Sequence, residues 1–163
     1  MITTLSPSKQ NPSNTRTETL AALSQGLTRP LLDSAYSLLL MRLVLGLTFA
    51  AHGSQKLFGW FGGYGLDGTA QFFATLGLPV AVTYLVAFTE FFGGLALIAG
   101  LLTRPAALGL FATMLGAIIT VHLPAGFFAP NGVEFPLALG TLALVLFLNG
   151  SGKFSFDHLL LKR

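Results

Sequence analysis

Six polar side chains stand out in an otherwise apolar chain, and their types suit proton handling. Glu90 is the only charge in the run from Pro79 to Leu102. A run of that length crosses a bilayer, and an ionised group inside one costs at least ~2.5–3.5 kcal/mol. Such a group needs a buried partner or a task. Arg42, His52 and Lys56 lie in and just after the preceding apolar run, and His122 and Glu134 follow later. On a helical wheel Arg42 and Lys56 fall within about 40° of one line, and His52 lies about 80° from it. Counting from the middle of each run puts Glu90 near the midplane. Arg42 then lies roughly 6 Å to one side and His52 roughly 9 Å to the other. Arg42 and Glu90 are therefore expected to touch. The ordinary reading of that contact is an ion pair that fixes helix register. The functional reading is a proton-accepting carboxylate tuned by Arg42, with Glu90 and His52 as catalytic candidates.

The other polar groups carry similar alternatives. His52 and His122 read first as interfacial histidines bonded to loop carbonyls. A polar pocket for a quinone head group or an anion is the second reading, with Arg42, Lys56, His122 and Glu134 as its binding residues. Ligation of a b-type haem by the two histidines is the weakest. Lys56 can equally be an anchor reaching the interface, and Glu134 a helix cap. His52, Lys56, His122 and Glu134 are expected to converge in one pocket with Glu90 at its floor.

The elements that hold these groups follow from composition. The chain has 163 residues, 53% hydrophobic and 9% charged, against ~25% charged in a soluble domain. It reads as an integral membrane protein, all-α, with four transmembrane helices in one bundle. The spans are expected at about 35–56, 79–102, 103–121 and 133–148. Thr103 and Asn131 are the candidate caps for the third and fourth, and Pro136 leaves the start of the fourth open. Small residues beside Glu90, at Gly93 and Gly94, allow another helix to come close. Between the first two spans, Asp67 or Thr69 starts a short interfacial helix that ends near Gly77. Phe72, Phe73 and Leu76 are expected to face lipid, and Phe58, Trp60, Phe61 and Tyr64 form an aromatic belt.

Residues 1–30 read as a polar, mostly mobile tail. Within it, Thr15–Glu18 fits a capping box ahead of Leu20, Leu23 and Leu27. Residues 31–150 form the membrane domain, and 151–163 a short cytoplasmic tail. Seven basic residues fall on one side of a four-span arrangement: Lys9, Arg16, Arg29, Arg104, Lys153, Lys162 and Arg163. Only Lys56 falls in a loop on the other. Basic residues favour the cytoplasm, so both termini are expected there, in a bacterial or archaeal plasma membrane. A faint repeat relates Gly46–His52 to Gly116–His122 and Glu90-Phe91 to Glu134-Phe135. With no cysteine, thiolate metal sites, cysteine-ligated iron–sulfur clusters and c-type haem attachment are excluded. The pI of about 9.6 does not imply nucleic acid, because the basic residues are scattered at the ends of apolar runs.

Several pieces resemble the DoxX/DoxD-like small membrane proteins. They are Arg42-Leu-Val-Leu-Gly46, His52-Gly-Ser-Gln-Lys56, Glu90-Phe-Phe-Gly-Gly94, Gly100-Leu-Leu-Thr-Arg-Pro105 and Gly150-Ser-Gly-Lys-Phe-Ser-Phe-Asp157. The resemblance covers roughly residues 35–157. It implies four membrane helices and a link to quinone-dependent sulfur oxidation, in which a DoxD-type subunit accompanies a second subunit. A quinone-linked oxidoreductase subunit is therefore the first functional expectation. It would handle a small reduced, sulfur-type substrate or electrons from a protein partner. A non-enzymatic assembly subunit is the second and a small transporter the third. A protein partner or homo-oligomer is expected alongside the lipid bilayer.

Overall fold

The computed structural model describes residues 33–161, and among these there is no strand. The features read in residues 1–30, and Lys162 and Arg163, lie outside the described residues. Helix α1 spans Ser34–Phe58. A 3₁₀ turn at Trp60–Gly62 leads into α2, Gly65–Thr75, the expected interfacial helix. Then come α3, Val80–Ala99, and α4, Thr103–Ala117. Helix α4 runs on through a π-helical turn at Ile118–His122 and a 3₁₀ turn at Leu123–Ala125. Helix α5, Glu134–Asn149, and the short α6, Phe156–Leu161, complete the order.

Helices α1, α3 and extended α4 are each long and apolar enough to cross a membrane, and α5 is a shorter apolar helix of 16 residues. The protein is an integral membrane bundle. Helix α1 lies along α3, α5 lies along α4, and α3 against α4 joins the two pairs. Leu45, Phe49, Leu97, Leu110, Ala143 and Leu146 form the core between them. Large apolar side chains such as Leu47, Leu85 and Ile119 remain exposed on the outside, as a lipid-facing surface requires. Trp60, Phe61 and Tyr64 are also exposed at the Lys56 end.

Glycine sets the closest helix approach. A β-carbon at Gly53 would collide with the backbone nitrogen of Phe91, and one at Gly94 with that of Ala50. The backbones of α1 and α3 therefore touch beside Glu90, as its small neighbours suggest.

At the opposite end, residues 151–157 fold under the bundle. The buried guanidinium of Arg42 donates to the carbonyls of Ser151 and Phe154, each at 2.7 Å. Asp157 accepts from the backbone N–H groups of Leu102 (2.7 Å) and Thr103 (2.9 Å). Its carboxylate thus caps α4. Thr103, the expected cap, has its hydroxyl buried without a partner. The capping bonds hold Leu102 at a φ of 50°, a left-handed conformation that costs a non-glycine residue about 1–2 kcal/mol. Gly100, at φ 68°, lies where a side chain would run into Arg42 and Ser155. The pieces Arg42, Gly100–Pro105 and Gly150–Asp157, scattered in sequence, are one interlocked cluster.

This arrangement sets a topology test. Reporter fusions at the C-terminus and within Gly62–Gly65 are expected to report opposite membrane faces, with the C-terminal fusion cytoplasmic. Both fusions on one face would overturn the four-pass arrangement.

Candidate functional site

The expected Arg42–Glu90 contact is absent. Lys56 is the partner instead: its Nζ lies 2.5 Å from Glu90 Oε2. The reason is register. Helix α1 continues to Phe58, two residues past its expected end, and Gly53 packs on Phe91. Lys56 is thereby level with Glu90. Arg42 lies eleven residues before Gly53, which is roughly 16 Å along the helix, too far to reach Glu90. Counting from the middle of each apolar run set Arg42 too close to the midplane and put Lys56 at the loop end of the first span.

Glu90 is only 3% exposed, and its side chain faces a cavity of ≈ 750 Å³. His52, Lys56 and His122 line the same cavity. The rest of the wall is mostly apolar, with Thr89, Thr113 and Thr120 as its other polar residues. Phe49 comes from α1, Val82 and Val86 from α3, Ala112 and Met114 from α4, and Leu139 from α5. Phe72 and Phe73, expected to face lipid, line it from α2, although Phe72 stays half exposed. Cavities of 300–1,000 Å³ with few polar groups are typical of small-molecule sites.

Individual polar atoms define what the cavity offers. Lys56 can donate two further bonds beyond that to Glu90. Glu90 Oε1 has no protein donor among the described residues, yet it is not sealed off like the unpartnered Arg42 Nε and Thr83 Oγ1. His52 is half buried, with its ring centroid 6.2 Å from that of Phe135 and no hydrogen-bond partner among the described residues. His122 Nδ1 is 2.7 Å from the Asn131 carbonyl. A carbonyl only accepts, so Nδ1 carries the proton, and in the neutral ring Nε2 is left as an acceptor.

Two expected members are elsewhere. Arg42 belongs to the cluster at the other end. Glu134 does not line the cavity; its Oε1 accepts from the backbone N–H of Ala129 at 2.6 Å. Five residues back in sequence, that N–H lies in the loop that Glu134 closes onto α5. The loop also carries backbone bonds from Val133 to Gly126 and from Glu134 to Phe127. Glu134 thus fits neither alternative: the cap position of α5 is Val133, not Asn131, and the Glu134 carboxylate holds the preceding loop. Residues that sequence reasoning passed over include Thr89 and Thr113 on the cavity wall and Asp157 at the α4 cap. Only Asp157 carried a signal, as an acid closing a glycine-serine run.

The DoxX family model matches residues 37–123, which takes in Arg42, His52, Lys56, Glu90 and His122. The chain belongs to the DoxX family. Its similarity extends to a Bacillus subtilis (strain 168) protein named "Putative oxidoreductase CatD", 36% identical over 76% of this chain and 87% of that protein. An uncharacterised membrane protein of Mycobacterium tuberculosis is 31% identical over 78% of this DoxX chain and 83% of its own length. The Escherichia coli inner membrane protein YqjF is 32% identical over 77% of this chain and 92% of its own. No solved structure matches this DoxX protein.

Proposed function

We propose that this chain is a membrane oxidoreductase subunit whose cavity receives the ring of a quinone. The observation that carries the reading is the Lys56–Glu90 pair, held within the bundle and facing an apolar cavity with a carboxylate oxygen to spare. The similar protein named as an oxidoreductase supports the class of reaction. Reduction of a quinone ring to the hydroquinone takes two electrons and two protons. The electrons come from a small reduced substrate, with sulfur compounds as the favoured class, or from a protein partner. This chain's part is to place the ring and supply the protons. Lys56 Nζ gives one proton to one ring oxygen and His52 gives one to the other; both are then reprotonated from the aqueous face, Lys56 by way of Glu90. Burial keeps bulk water from competing for the ring, and the short reach from Lys56 to Glu90 keeps the proton path within the cavity.

Purified protein is expected to retain quinone on solvent extraction and to bind unsubstituted benzoquinone. General acid–base groups contribute about 10²–10⁴-fold. His52→Ala and Glu90→Gln are therefore each expected to lower quinone-dependent turnover by about 100-fold or more, with the melting temperature largely retained. Unchanged turnover in both folded variants would favour the assembly-subunit reading. The Arg42 cluster supports that reading, because there a buried charge ties α1 to the segment between α5 and α6.

A further inference from the structure

The cavity is also walled by facing sides of α3 and α4, which are mostly apolar. On α3 its wall is Val82, Leu85, Val86 and Thr89; on α4 it is Gly109, Ala112, Thr113 and Gly116. Each set repeats at three and four residues, so each is one helical face, and the two faces look at each other. They meet at the Arg42-proximal end of the wall. A β-carbon at Gly109 would sit 3.1 Å from Thr89 Cγ2, and one at Gly93 3.2 Å from Leu110 Cγ. Towards the other end they part: a β-carbon at Gly116 would meet nothing within 4 Å. Leu85, on the facing lip, is 68% exposed, and Ala112 and Gly116 are exposed too. The surface around these lips lies within the apolar spans, so it faces lipid tails and not water. At the loop end, Phe72, Phe73, Pro130 and Phe135 stand across the cavity.

We infer that the fissure between α3 and α4 is the ligand's entrance from the bilayer and holds a hydrocarbon tail of the ligand whose ring lies beside Lys56 and Glu90. This rests on the reading of the cavity given above and adds what that reading leaves open, the route of entry and the requirement for a tail. The occupant follows from continuity. Glu90, almost wholly buried and with no donor to Oε1 among the described residues, faces the cavity beside Lys56, while on the α4 wall Thr113 spends its hydroxyl on the Gly109 carbonyl. The same cavity is lined by Leu85, Ala112 and Gly116, which are exposed within the apolar spans. Size agrees, because a benzene-sized ring occupies a site of about 150 Å³, and the cavity of ≈ 750 Å³ leaves room for a chain beside it. A ligand arriving through lipid needs an apolar tail, and a fissure lined by glycine, alanine and valine lets one pass.

The test uses the full chain in nanodiscs and two probes, unsubstituted benzoquinone and a benzoquinone bearing a ten-carbon alkyl chain. Gly116→Trp fills the fissure at a point with room for the side chain, and Leu85→Trp does so from the opposite lip. Wild type is expected to bind both probes, the alkylated one at least tenfold more tightly. Either plugged variant, with its melting temperature retained, is expected to lose that tenfold advantage while binding the bare ring within about twofold of wild type. Plugged variants that keep the full advantage would overturn the entrance and leave the cavity reading intact. Loss of both probes in a folded plugged variant would also overturn it, because the fissure would then not be separable from the ring site. A wild type that binds neither probe would overturn both readings.

Discussion

Arg42→Leu is expected to destabilise the folded protein by about 3–5 kcal/mol, the largest loss for any single polar residue in the bundle. Arg42 is 1% exposed, and leucine would strand the carbonyls of Ser151 and Phe154. Each buried unsatisfied group costs about 1–3 kcal/mol. The substitution would also deprive Asp157 of a nearby cation and so loosen the cap on α4. Arg42→Lys should recover only part of the loss, since an ammonium cannot reach two carbonyls with the fixed fork of a guanidinium. Thermal unfolding in detergent is the measurement. An Arg42→Leu melting temperature equal to that of wild type would show that water replaces the guanidinium there.

Lys56→Met is expected to cost about 2–3 kcal/mol, because it leaves the Glu90 carboxylate buried without its cation. The figure sits below that for Arg42 because the Lys56 side chain is 24% exposed and partly screened. Glu90→Gln should be milder, about 1 kcal/mol, since glutamine is neutral and still accepts a bond from Lys56. Combining the two should restore most of the Lys56→Met loss, because the stranded charge is gone. A double-mutant cycle on the same unfolding signal measures this coupling. Additive losses in the cycle would contradict an energetic pair.

The helices were legible in the sequence because apolar length and glycine-proline punctuation are local signals. Spans at 35–56 and 79–102 match α1 and α3 to within a few residues. Partner choice was not legible. Whether Arg42 or Lys56 meets Glu90 depends on the axial register of α1 against α3, and Gly53 seated on the Phe91 backbone sets that register. A helical wheel gives direction around an axis but no offset along it, so two basic residues on nearly the same line could not be told apart. The placement of Glu134 failed for a related reason. Its carboxylate turns back to the loop preceding its own helix, a short-range bond that competes with any long-range pocket. Asp157 was readable only as a tail residue, since its task depends on the tail folding beneath α4.

Arg42 and the carbonyls that satisfy it are separated by 109 and 112 residues of chain. At a synthesis rate of roughly 5–20 residues per second, α1 waits on the order of 5–20 seconds before its guanidinium can find them. Over that interval the nascent helix carries an uncompensated charge, which has to reach for the nearer headgroups or shift the helix towards them. The first span is thus inserted provisionally and seated only after the rest of the bundle has been made. In a chain that stops before Ser151, the Arg42 guanidinium lacks both of the carbonyls that satisfy it.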